Sequence, residues 1–244
     1  MMADIVTGLV GWWKMDNAGI VSNGTVSRYS TADSSTNGNT GVLSPINAGP
    51  TSVTGKIAEC LSFVANNSTS VLIANSPALN PASISIAAWI KTSSTDASSQ
   101  IFTKDSYGGN PTGRVWQFCI GTSGHVEFIP FTASSLGDYT GSVNVVDGNW
   151  HFVVGTFDQS KISIYVDGTE DGTGLNLSGA LRTGQTNNAY IGAAGLNSFV
   201  SFNGLIDELR LYNRALSADD VIALYAWTGS NSNLPLFRHH RSAA

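Results

Sequence analysis

Apolar and polar residues alternate over short stretches of this chain, and glycine, asparagine and serine cut the stretches apart. In "ISISIAAWI", Ile84, Ile86, Ala88 and Ile90 fall on one face, as a half-buried strand requires. Comparable runs lie at 9–15, 61–64, 83–91, 116–121, 126–131, 150–158, 161–167, 190–193 and 204–212. Short strands between regular turn signals predict an all-β sandwich or jelly roll. The clearest hairpin is "KISIYVDGTEDGTGLNL", where Ile162, Ile164 and Val166 alternate with Ser163 and Tyr165 before an Asp167-Gly168 turn.

The pattern changes period once. After Leu216, Ser217 can cap a helix, Asp219 and Asp220 complement its positive N-terminal end, and Val221, Leu224 and Tyr225 form an apolar stripe. Nothing else splits the β pattern, so the reading is a lead-in over 1–7, one domain over 8–227, and a tail over 228–244. The tail ends in an apolar and basic cluster, "LPLFRHHR", suited to docking on a neighbouring copy or another partner.

Composition narrows the function. The chain has 244 residues, enough for one large all-β domain, and only 12% of them are charged, against roughly 25% in ordinary domains. Its surface is therefore rich in hydroxyls and amides. The net charge of −5 is scattered singly and offers no basic field for phosphates, so nucleic acid is excluded as a partner. No apolar run reaches the roughly 18 residues of a membrane span, and no secretory signal is visible at the N-terminus. Cys60 and Cys119 sit in apolar runs as small hydrophobes; they could form one disulfide but make no framework.

The motifs "GLVGWWKMD", "DSSTNGNTG", "SISIAAWIK", "NWHFVVGTFD", "SIYVDG" and "FNGLIDELRLYNRALSADDVIALY" occur in that order. Together they resemble the laminin G-like, concanavalin A-like jelly-roll family over nearly all of 8–227. The resemblance implies two antiparallel sheets packed face to face, recognition loops at the rim and, in many members, a bound calcium. It also places Trp12, Trp13, Trp89 and Trp150 at framework positions.

Calcium takes about six to eight oxygen ligands. The loop "TADSSTNGNTG" offers Asp33, Asn37 and Asn39, but as an EF-hand it fails, because the twelfth position is Ser44 and not Glu. A distant carboxylate must complete a site. In "LIDELRL", Asp207 has the parity of Leu205, Leu209 and Leu211, and a carboxylate on an apolar face needs a cation or several hydrogen bonds. The expected metal set is Asp33, Asn37, Asn39 and Asp207, with a loop locked by its own amides as the competing reading.

Catalysis lacks a signature. Related glucanases carry alternating carboxylates on one strand; here Asp207-Glu208 are adjacent and Glu170-Asp171 sit beside a turn. There is no Gly-x-Ser-x-Gly elbow or zinc spacing, and His125 and His151 lie in strand patterns. For ligand contacts the loop "DSYGGNPTGRVW" supplies Asp105, Tyr107, Asn110 and Arg114, joined by Tyr139; Trp116 has the parity of Phe118 and Ile120 and is expected in the core. The expectation is a non-catalytic recognition or adhesion module, extracellular or on a virion surface. It would bind glycan or a surface protein through rim loops, with a structural calcium. The alternative is an assembly subunit, such as a virion decoration or tail protein, oligomerising through the tail.

Overall fold

The computed structural model describes residues 5–16, 20–22, 29–44, 49–65, 69–96, 99–105, 113–195 and 201–229. The strands begin with β1 (Leu9–Trp13), β2 (Ile20–Ser22), β3 (Tyr29–Thr31), β4 (Gly41–Ser44), β5 (Thr51–Thr54) and β6 (Glu59–Phe63). They continue with β7 (Ser70–Ile73), β8 (Ile84–Lys91), β9 (Ser99–Lys104), β10 (Trp116–Ile120), β11 (His125–Pro130) and β12 (Tyr139–Asn144). The last are β13 (Trp150–Phe157), β14 (Lys161–Val166), β15 (Thr169–Glu170), β16 (Leu175–Asn176), β17 (Ala189–Ile191) and β18 (Gly204–Tyr212), before helix α1 (Ala218–Tyr225). One sheet has the order β15-β14-β13-β8-β18-β6-β5, with β1 added on β18 and β16 on β14. The other has the order β12-β11-β10-β9-β17-β7-β4-β3-β2, and both are antiparallel.

The expected alternation builds the layers. Ile84, Ile86, Ala88 and Ile90 of β8 join Trp13, Phe118, Phe128 and Leu211 in the core between the sheets. Trp116 is fully buried there. The other face of β8 is apolar too: Ala87 and Trp89 pack with Phe152, Tyr212, Val221 and Leu224 in a second cluster beneath α1. That helix starts on a capping box between Ser217 and Asp220, and its Tyr225, although 40% exposed, stacks on Trp89. The 161–170 hairpin turns as expected, with Asp167 at φ 49° and Gly168 at φ 86°.

Cys60 and Cys119 are both buried and free, one in each sheet, and burial pushes the Cys60 thiol up to about 12, with Asp207 and Glu59 adding to it. Neither is a reactive nucleophile. Of the tail, residues 230–244 lie outside the described residues, and with them the expected docking contact. No helix among the described residues is long and apolar enough to cross a membrane.

Strand β18 departs from simple alternation. Asp207 pairs with Trp89 and Arg210 with Ala87, so Glu208 and Leu209 together face the single residue Ala88. This is a β-bulge, with Glu208 at φ 52°. The extra residue resets the parity. Ile206, Leu209 and Leu211 point into the core, while Asp207 shares the outer face with Trp89, which corrects the placement of Asp207 beside Leu209 and Leu211.

The bulge carries a charged cluster on that outer face. Glu208 accepts from Trp12 Nε1 at 2.5 Å and from Arg210 Nη2 at 3.0 Å. The Arg210 guanidinium lies 4.5 Å from the Trp12 ring and 4.4 Å from the Trp227 ring. Burial, working against Arg210 and Trp12, raises Glu208 to about 7. Replacing Glu208 with glycine relieves a left-handed backbone worth about 1–2 kcal/mol. It also leaves the buried guanidinium without its carboxylate, a loss of about 3–5 kcal/mol. Glu208→Gly is therefore expected to lower unfolding free energy by roughly 2 kcal/mol, measured by urea denaturation; an unchanged midpoint would show that losing the pair costs no more than the relieved backbone returns.

Candidate functional site

At one end of the sandwich the Asn/Gly loop is sewn onto β1. Asp33 Oδ1 accepts from the Trp12 and Ser35 amides at 2.9 and 2.8 Å, and Oδ2 from Ser35 Oγ and the Asn39 amide, both at 2.8 Å. Asn39 donates to Val10 O at 2.9 Å and accepts from Ser76 Oγ at 2.8 Å, while Asn37 donates to Leu9 O at 3.1 Å. Asp207 addresses a different segment, accepting from the Lys56 and Ile57 amides at 2.9 Å each. Gly55 in that turn has no room for a side chain, since a Cβ would stand 2.7 Å from Asp207 Oδ2.

These residues do not fit a shared calcium. A carboxylate offers about four lone-pair sites, and those of Asp33 are occupied by donors, as is the Asn39 side-chain oxygen. Asp207 Oδ1 is buried and unpartnered, but its carboxylate shares no donor with Asp33. Among the described residues no cluster of His, Cys, Asp and Glu is grouped to hold a metal. The geometry is that of a loop closed by amides.

The ligand residues are placed unevenly. Tyr139 is half-buried and committed internally: its hydroxyl donates to Asp171 O and accepts from the Gly174 amide, both at 3.0 Å, which ties the edge strand β12 to the 171–174 turn of the opposite sheet. Tyr107 and Asn110 lie outside the described residues. Asp105 and Arg114 do come together, at the same end as the Asp33 loop. The Asp105 side chain is fully buried, its Oδ1 is 3.4 Å from Arg114 Nε, and its Oδ2 accepts from Gln117 Nε2. The Arg114 side chain stays 41% exposed.

A residue-by-residue backbone relay explains what surrounds Arg114. Val115 donates to Lys104 O, Phe131 to Val115 O and Arg182 to Phe131 O, each at 2.9 Å. The relay puts the guanidinium carbons of Arg114 and Arg182 each 5.8 Å from the centre of the Phe131 ring. Phe131 and Arg182 escaped sequence reasoning because each stands at the end of a run, outside any motif. The only available signal was the turn "FTASSLGD" after Phe131.

His151, which the strand pattern places in β13, bridges two carboxylates at the other end, with Nδ1 2.8 Å from Asp167 and Nε2 3.1 Å from Asp147.

Two antiparallel sheets packed face to face, with a helix on the back of one and loops gathered at both ends, define a lectin-type jelly roll. The chain belongs to the concanavalin A-like lectin/glucanases superfamily, whose Laminin_G_3 family model matches residues 65–222. A search for curated relatives finds no match.

Solved structures repeat the fold at low identity. Domain 4 of AbnA, an extracellular arabinanase from Geobacillus stearothermophilus solved with arabinotriose, is 19% identical at a TM-score of 0.67, over 89% of this chain and 98% of that one. The binding domain of Paraclostridial Mosquitocidal Protein 1 is 13% identical at 0.62, over 91% of this chain and 52% of that one. The binding domain of botulinum neurotoxin DC, solved with SialylT, is 15% identical at 0.60, over 91% and 52%. The chain thus spans about half the length of the toxin domains.

Burial pushes Asp207 up to about 8, outweighing the Ile57 and Lys56 amides, with Glu208 and Asp16 adding to the rise. A carboxyl protonated in the fold and ionised when unfolded favours the fold at low pH, and that contribution fades as pH rises through 8. Stability is therefore expected to fall from about pH 4, where an unfolded aspartate ionises, to about pH 8, and to level off above it. Asp207→Asn, which keeps an acceptor for both amides, should flatten that slope in thermal melts; an unchanged slope would contradict the assignment.

Proposed function

We propose that this chain is a recognition module that binds glycan, or a glycan-bearing surface protein, at the sandwich end carrying Arg114, and does no chemistry on its ligand. The observation that carries the reading is the half-exposed Arg114 guanidinium, anchored by the fully buried Asp105 carboxylate and standing with Arg182 around Phe131. A guanidinium paired by charge with a buried carboxylate, with no hydrogen bond to Asp105 Oδ1, keeps its donors for ring hydroxyls and sugar carboxylates. Phe131 is buried beneath the two arginines, so the surface a ligand meets here is the guanidinium groups themselves. The arabinotriose and SialylT complexes of the structural neighbours support a glycan ligand by analogy of fold. An extracellular setting is the natural one for such a module.

The carboxylates favour binding over hydrolysis. A glycosidase holds two carboxylates across one bond, about 5–9.5 Å apart. Here Asp33, Asp158, Asp167, Asp171 and Asp207 accept backbone amides instead. Nothing among the described residues favours the assembly-subunit alternative, whose tail segment lies outside them.

A glycan array is expected to show discrete hits that Arg114→Ala weakens at least about tenfold, the worth of one charged hydrogen bond. Mass spectrometry of the bound oligosaccharides should show no cleavage. Shortened products, or binding indifferent to Arg114→Ala, would overturn the reading.

A further inference from the structure

The end of the sandwich opposite Arg114 carries a cleft of about 770 Å³ between the 92–96 segment, the start of β18 and the chain leaving β6. Backbone and side-chain bonds shape its walls. Thr92 Oγ1 donates to Asn203 O at 2.6 Å and accepts from the Ser94 amide at 2.9 Å, and the Gly148 amide donates to Thr92 O at 3.0 Å. The walls are thus fixed while the groups on them are not used up. The side chains of Lys91, Ser93, Thr95 and Asn203 all line the cleft without a hydrogen-bond partner among the described residues, and Asp96 spends one oxygen on Ser94 Oγ at 2.5 Å and keeps the other. Val64, 43% exposed, and Leu205 add an apolar edge.

We infer that this cleft is a second ligand site, for a short neutral saccharide. Its size lies within the range of about 300–1,000 Å³ typical of small-ligand sites. An ammonium, a carboxylate, an amide and two hydroxyls supply both donors and acceptors, which is what ring hydroxyls need. The charges reject the alternatives: Asp96 opposes an anionic ligand and Lys91 a cationic one, so neither a phosphate nor a basic peptide suits the pair. Val64 and Leu205 can take the C–H face of a sugar ring. The site stands apart from Arg114 and does not depend on the reading given there.

The test is a heteronuclear NMR titration of the full chain with arabinotriose, cellotriose and maltotriose as separate probes. At least one should produce saturable shifts at the amides of Ser94, Gly148 and Leu205, with a Kd of roughly millimolar. Asp96→Ala and Lys91→Met should each weaken that response at least about tenfold, with the rest of the spectrum confirming the fold. Arg114→Ala should leave the cleft shifts in place, which separates this site from the other end. The inference is overturned if none of the three probes shifts the cleft amides, or if the shifts persist unchanged in both cleft variants.

Discussion

A carboxylate that accepts backbone amides from a segment distant in sequence is the constraint on which much of this structure depends. A sandwich with so few charges has loops made of glycine, serine and asparagine, which lack apolar side chains to hold them down. Loop amides left pointing at nothing are costly when buried. Aspartate solves both difficulties with one short side chain. Asp33 closes its own loop and binds it to the amide of Trp12; Asp171 holds the Ser142 and Val143 amides of the edge strand β12; Asp207 holds the Lys56 and Ile57 amides. Where the carboxylate is ionised, bonds of this kind are worth more than neutral ones, about 1.5–3 kcal/mol each.

The bulge in β18 extends the same logic to the back of the sandwich. One extra residue lets Leu209 and Leu211 keep the core while Asp207, Glu208 and Arg210 face outwards, with Arg210 against the Trp12 and Trp227 rings. The back face can then be covered twice, by α1 over Trp89 and Phe152 and by the indole rings over Arg210. Because the loops are fixed from within and one back is closed, the two ends of the sandwich and the half-exposed outer face of the β10–β12 sheet are the surfaces left to meet a ligand. Arg114 with Phe131 and Arg182 occupies one end, and the Lys91–Asp96 cleft the other.

The fold was legible where side-chain period had a clear physical cause. Strand β8, the Asp167-Gly168 hairpin and the Ser217 cap all follow from local pattern, and the family motifs assembled them into two sheets. Strand β9 was missed because all six of its residues are buried, which erases alternation, and β12 because it is a polar edge strand. The face of Asp207 was misread for a different reason. A bulge is a two-strand property, and nothing in "LIDELRL" alone says that two residues will oppose one. Site residues were legible only in part: Asp105 and Arg114 are near in sequence and meet, whereas Tyr139 is committed to a turn 35 residues away in the chain. The expected ion loop is likewise held by contacts with β1 that no local reading could supply.

Amide hydrogen exchange reads out directly whether these aspartates hold the loops. The Trp12, Asn39, Lys56, Ile57 and Val143 amides, which donate to aspartates, are expected to exchange as slowly as neighbouring sheet amides, and Asp207→Ala should release Lys56 and Ile57 selectively. Fast exchange at these positions in the unaltered protein would contradict that role.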